Sequence, residues 1–328
     1  MATSSADGDR WGVPLQLGEL RVLHRGRWRP LRTMVWLVLT FFLTAAGFGL
    51  PLQAAVDHLP PENPAWGLVG IAIACASAFG CYLLAVRVGE RRWASELSAR
   101  PALSGLVVGA TLGLLMMAIL MGAMLATDLY DITMVGAVPA WTGLGLALQA
   151  AVTEELWMRA VLLRLLWRAF GPLPAFTVAA LVFAVPHLAN PGATVLAGAT
   201  VAVAGLMFCA LYALTGRLWV PIGLHLAWNF AQGYLFGAAV SGTDLGGSIA
   251  VSTARYGAAT WLTGGTFGPG ASLFALILVS AATLGALALA WRTGRLSRPS
   301  RPTRPLAIAE RSQPRAAVVA SLVRPSSD

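Results

Sequence analysis

The sequence is short of charge and has no lysine: of 328 residues only 11% are charged, and all 23 basic side chains are arginine. So thin a polar complement cannot cover a water-facing surface. With 57% hydrophobic residues and a mean hydropathy of +0.70, the composition excludes an ordinary soluble domain and predicts a multi-span membrane protein. The exclusive use of arginine reads as compositional bias of a bacterial kind. Cysteine is equally scarce. Cys75, Cys81 and Cys209 lie in apolar runs with no CxxC pair, so neither a disulfide framework nor a thiolate metal site is indicated, and they read as core residues. HExxH is absent as well. The formal charge of +9 does not indicate a nucleic-acid partner, because the arginines sit between apolar runs and in the tails rather than among aromatics on one face. No internal repeat is present. No short apolar stretch with a small-residue cleavage site opens the chain, so a removable signal peptide is not expected.

Apolar runs are what the chain has in abundance. They predict an all-α polytopic protein with eight membrane spans, at about 34–56, 65–86, 101–126, 138–170, 173–188, 193–214, 218–236 and 271–291. A polar basic segment, 1–33, precedes this membrane domain (34–292), and an Arg/Pro/Ser-rich tail, 293–328, expected to be disordered, follows it. With Arg159 counted to the connection after it, arginines in alternate connections number six, four, three, one and eight on one side and zero, zero, zero and one on the other. That asymmetry predicts cytoplasmic termini in a plasma (inner) membrane, with membrane lipids as surroundings.

Before the fourth run ends in Arg164 and Arg168, three charges interrupt it: Glu154, Glu155 and Arg159. A charge in the hydrocarbon core costs on the order of 3 kcal/mol or more, so such residues satisfy one another or do chemistry. Glu155 and Arg159, at i,i+4, share a helix face and can pair in the favoured orientation. Glu154 faces about 100° away with no local cation, which suits it to take a proton. The fifth run ends in Phe183-Ala184-Val185-Pro186-His187, where Pro186 cannot donate to Val182 and is expected to open the helix just before His187. In the seventh run, His225 and Asn229 again stand at i,i+4 and can both donate to one oxygen, as an oxyanion site requires. Counting helix rise, these groups fall roughly 15 to 20 Å from the arginine-rich side, in one slab expected to form a cavity open toward the cytoplasm. Each feature also has a structural explanation, namely a salt bridge, a satisfied core histidine or a polar clasp between helices.

These residues resemble the CPBP family, the CAAX prenyl-endopeptidases and bacteriocin-processing enzymes, also called the ABI family. The pattern EExxxR, FxxxH, HxxxN is matched by Glu154-Glu155 with Arg159, Phe183 with His187, and His225 with Asn229. The Asn190-Pro191-Gly192 turn and the Trp219-Val220-Pro221-Ile222-Gly223 lead fit too, over about 138–237. The resemblance implies an intramembrane glutamic endopeptidase without a cofactor. In it, Glu154 and His187 activate water, His225 and Asn229 hold the oxyanion, and Glu155 and Arg159 position the first carboxylate. Its substrate would be a peptide or membrane protein, with or without a lipid modification. Spacing alone leaves open a metal-dependent hydrolase with zinc or another divalent ion on Glu154, His187 and His225. A non-catalytic immunity or partner-binding protein also remains open. A transporter is disfavoured, since no matched pair of interrupted helices occurs in two halves.

Overall fold

The computed structural model describes residues 12–24, 26–136 and 138–296. The expected disorder of the tail from 297 onward therefore lies outside the described residues.

Helices occupy all eight predicted runs. They are α1 (Arg29–His58), α2 (Pro64–Ala85, prolonged by a π turn, Val86–Glu90), α3 (Ala102–Ala126) and α4 (Trp141–Glu155). A π-helical stretch, Leu156–Leu163, joins α4 to α5 (Arg164–Phe170), followed by α6 (Pro172–His187) and α7 (Val195–Thr215). Then come α8 (Trp219–Phe230, prolonged by a π turn, Ala231–Leu235), the one-turn α9 (Thr260–Thr263) and α10 (Leu273–Arg292). Among the described residues five helices are long and apolar enough to cross a membrane: 29–58, 64–90, 102–126, 195–215 and 273–292. This is a mostly helical, multi-pass membrane architecture. The remaining three predicted spans, α4–α5, α6 and α8, are the short or interrupted ones, and they carry all the polar motifs.

The motif helix runs through the centre of the bundle. From Ala151 to Arg168 only Glu154, Trp157, Met158 and Leu162 are not buried. The reading of 138–170 as one regular helix therefore needs a correction: the ladder changes to π pitch directly after Glu155. Such widened turns concentrate at functional sites. Helix α8 is placed by small residues. Gly105, Gly109 and Gly113 of α3 recur every fourth residue and face α8, where a Cβ on Gly109 would stand 2.2 Å from the Val220 carbonyl. Gly223 answers from α8, its missing Cβ lying 2.4 Å from the Leu106 carbonyl. Backbones can approach this closely only where side chains are absent, which is how apolar helices gain packing in lipid. A larger residue at Gly109 would push away the helix that bears His225.

The arginine-bearing connections gather at one end of the bundle, and there the N-terminal segment departs from its polar-tail reading. Arg168 donates to the carbonyls of Gly18 and Leu23, Val13 N–H donates to Thr215 (3.0 Å), and Arg295 donates to Gly12 (2.9 Å). Residues 12–24 are thus strapped across the helix ends, with Leu23 1% exposed, and α1 starts at Arg29 rather than near Met34. Beneath the strap lies a second group of buried charges. Arg164 grips Glu90 with two bonds (2.8 and 2.9 Å), Arg92 grips Glu96 with two (2.7 and 2.9 Å) and also reaches Glu90 (2.7 Å). The Tyr82 hydroxyl donates to Glu96, and Trp36 Nε1 donates to Glu90 (3.0 Å).

The opposite end adds a short strand pair to the helical bundle. Strand β1 (Tyr130–Met134) pairs antiparallel with β2 (Ala250–Ala254), in register from Tyr130↔Ala254 to Met134↔Ala250. Both stretches had read as loop. Tyr130 donates to Thr263 (2.9 Å), and Arg255 pairs with Asp131 (3.0 Å) and Asp128 (3.3 Å). The glycine-rich connection 237–270 is an ordered cap rather than a spacer. Gly237 (φ +61°) shows why it needs glycine: a Cβ there would lie 1.7 Å from the Ala250 carbonyl.

Candidate active site

The two glutamates of the motif take different surroundings. Glu155 is fully buried, and its Oε2 lies 3.1 Å from Arg159 Nε, also fully buried, so the expected i,i+4 pair is present. It is close in distance but misaligned in angle: among the described residues neither atom makes a hydrogen bond. The π pitch accounts for this, since it rotates Arg159 off the regular i,i+4 line. Arg159 instead donates to the Gly205 carbonyl (3.3 Å), and its guanidinium sits between the rings of Phe183 and Phe208, 4.6 and 4.9 Å from their centroids. A desolvated cation between two aromatic faces gains on the order of 2 kcal/mol. Phe183 of the second motif thus serves the first.

His225 joins the two glutamates, a contact the sequence did not announce. Its Nδ1 is 3.0 Å from Glu155 Oε1, and since a carboxylate only accepts, Nδ1 carries the proton. Its Nε2 faces Glu154 Oε2 at 3.9 Å. Glu154 is the more exposed of the pair, with its side chain 30% exposed, yet Oε2 itself is buried and, among the described residues, has no hydrogen-bond partner. Phe208 stacks on the His225 ring with centroids 5.1 Å apart, fixing its plane.

His187 is the last residue of α6. Contrary to expectation, Pro186 does not open the helix before it. The helix continues to His187 and stops there, and the His187 ring takes up the Phe183 carbonyl through Nδ1 (2.8 Å). A carbonyl only accepts, so this bond puts the proton on Nδ1 and leaves Nε2 as a lone-pair acceptor. Asn190, just beyond, donates to the Ser241 carbonyl (2.9 Å), docking this turn on the glycine-rich cap.

His187, His225 and Asn229 line one cavity of about 80 Å³, together with Phe208, Gln232 and Ser241. That is room for a peptide group and a few waters. Glu154 is not on its lining and meets it through His225. Val240, Ser241, Phe267 and Gly270 of the cap form part of the wall. Met207 and Leu224 separate it from a second, apolar cavity of about 610 Å³ between α3, α7, α8 and α10, bounded at the arginine-rich end by Arg217 and Trp219. Among the described residues no group of three or more His, Cys, Asp or Glu side chains is placed to hold a metal ion, Glu154, His187 and His225 included. Gln232 is a polar lining residue that the motifs did not supply. Its signal is spacing alone, three residues beyond Asn229.

Compared with known families, residues 136–231 match the model described as type II CAAX prenyl endopeptidase Rce1-like. The match spans all three motifs and agrees with the resemblance they carry. No curated protein and no solved structure matches the chain. Residues 136–231 of this multi-pass helical membrane bundle are thus similar to the CAAX-type endopeptidases.

Proposed function

We propose that this protein hydrolyses a peptide bond within the membrane by the glutamate and histidine route, on a peptide or membrane-protein substrate, in the inner membrane of a bacterium. One observation carries the reading: His187, His225 and Asn229, from two different helices, line one small cavity, with Glu154 3.9 Å from His225 Nε2. A water between Glu154 and His187 gives its proton to this pair and attacks the carbonyl carbon. His187 Nε2 is free to accept because Nδ1 is committed to Phe183. Asn229 Nδ2 donates to the oxygen on which negative charge develops, and His225 joins it from Nε2 once that nitrogen also carries a proton, Nδ1–H staying on Glu155. The accepted proton then passes to the leaving amine as the C–N bond breaks. Glu155 and Arg159 fix the His225 ring and the course of the helix beneath Glu154 and touch no substrate.

The test is Glu154→Gln, which keeps shape but cannot take the proton. Cleavage of membrane peptides by the purified protein should fall about 100- to 10,000-fold while its melting temperature stays within a degree or two. Full activity in the variant would end the glutamate reading. Chelator should leave the wild-type rate intact; a rate that collapses with chelator and returns with zinc would replace this route with the metal one.

A further inference from the structure

A third polar side chain stands on the same stripe of α8 and its π extension. His225, Asn229 and Gln232 follow at i, i+4 and i+7, one face of a helix, and all three line the cavity. Gln232 is 1% exposed. Its Nε2 donates to the Ala239 carbonyl, and because a carbonyl only accepts, this bond fixes which end of the amide is which. Oε1 is turned the other way, toward Gly270 on the cavity wall, and among the described residues no group donates to it. The wall is cut back around the amide: a Cβ on Gly270 would stand 3.2 Å from Oε1, and one on Gly268 3.1 Å from Nε2. The π turn aims the side chain here, in a geometry kept mainly where function needs it.

A buried acceptor without a donor is rare and costly, and its side chain lines a cavity large enough for a peptide group. We infer that Gln232 Oε1 accepts the backbone N–H of the substrate residue whose carbonyl is attacked, which makes Gln232 a substrate-positioning residue. This rests on the endopeptidase reading above. In an extended chain the N–H and C=O of one residue leave the same edge, as they do in a hydrogen-bonded strand pair. A helix face that donates to that carbonyl from His225 and Asn229 therefore meets the N–H of the same residue a little further on. Gln232 lies there, about 4.5 Å of helix rise beyond Asn229. The contact fixes register without reading a side chain, and it restricts the substrate class. The residue supplying the attacked carbonyl cannot be proline or N-alkylated.

The experiment uses a quenched-fluorescent peptide library on the full-length protein in detergent, then the best-cleaved member and its analogue in which that one N–H is replaced by an ester oxygen. Wild type should lose about tenfold in kcat/KM on the analogue, the size of one hydrogen bond to a buried acceptor. Gln232→Met, similar in volume but without the acceptor, should lose the same factor on the amide peptide and nothing further on the analogue. An equal loss on both peptides, or no loss on the amide, overturns the inference. Should Gln232→Met fail to fold, Gly270→Ala, which crowds Oε1 and leaves the Ala239 bond, must show the same selectivity or the inference falls. If wild type cleaves no library member, the endopeptidase reading fails separately, and binding of the same peptides to the Glu154→Gln protein decides. The tightest binder should lose about tenfold in affinity on ester replacement, and Gln232→Met should abolish the difference. A difference that persists in Gln232→Met, or a library from which nothing binds, overturns it.

Discussion

Two buried clusters of glutamate and arginine share the central helix, with Arg159 in one and Arg164 in the other, and they are finished differently. At the arginine-rich end Glu90, Arg92, Glu96 and Arg164 are joined by bidentate bonds of 2.7 to 2.9 Å, and Trp36 and Tyr82 take up further lone pairs. Around Glu154, Glu155 and Arg159 the same residue types leave Glu154 Oε2, Glu155 Oε2 and two guanidinium nitrogens without hydrogen-bond partners among the described residues. A fully satisfied buried network locks one conformation, whereas a partly satisfied one leaves atoms to be completed by what enters. The clasp holds the helix ends and the site beside it is left unfinished. Residue type and burial alone do not distinguish the two; the count of unmade bonds does.

The largest expected effect breaks the clasp. Arg164→Ala leaves Glu90 buried with one of its two cations gone, a loss of about 3–5 kcal/mol. Purified protein should be scarce and should melt well below wild type in a thermal-shift assay. A variant that expresses and melts normally would remove the structural side of the comparison. Arg159→Ala sharpens the contrast. It also strands a buried carboxylate, so folded protein should fall, but part of its cost should reach activity through His225, which Arg164→Ala should not reach in the molecules that do fold. Next comes Asn229→Ala, which should cost on the order of 100-fold in kcat, as loss of an oxyanion donor does, with no change in melting temperature. A melting shift matching that of Arg159→Ala would make Asn229 part of the frame instead.

The smallest effect is pH dependence. Burial pushes the Glu96 carboxyl up, but its bonds to Arg92, with Arg164 and Tyr82 nearby, outweigh that and hold it below the ordinary range. Its folded value lies below its unfolded one. The stabilisation is therefore present above the unfolded value, about 4.3, and lost as pH falls through the folded one. Melting temperature should drop as pH is lowered from about 5 toward 3, and Glu96→Gln should flatten that slope. An unchanged slope in Glu96→Gln would assign the acid sensitivity elsewhere.

Much was legible without coordinates because a membrane limits the choices. Apolar runs must be helices when no water is present to bond the backbone, so the eight segments could be placed to within a few residues. The motifs EExxxR, FxxxH and HxxxN stood out because charge and imidazole are rare in such runs. The clasp was not legible. Arg164 counts in the sequence only as one of the arginines of a connection, and Glu90 and Glu96 carry no local mark of burial, since what buries them is the strap 12–24 and the meeting of connections distant in sequence. The β1–β2 pair escaped for a similar reason. Two five-residue strands 120 residues apart have no local signal stronger than that of a loop.

The sequence by itself determined that the chain is a helical membrane protein, which helices carry polar side chains, and that Glu155 and Arg159 lie within reach of each other. Hydrophobicity and helical period are local quantities, readable residue by residue. Only the tertiary structure decided that His225 bridges both glutamates, that Arg159 lies between Phe183 and Phe208, and that Gln232 completes the stripe begun by His225 and Asn229. Those facts depend on the glycine-lined approach of α3 to α8, on π turns that rotate the motif off a regular helix, and on a cap folded back over His187. Each is a relation between distant segments, fixed by packing, and no pattern within a single segment encodes it.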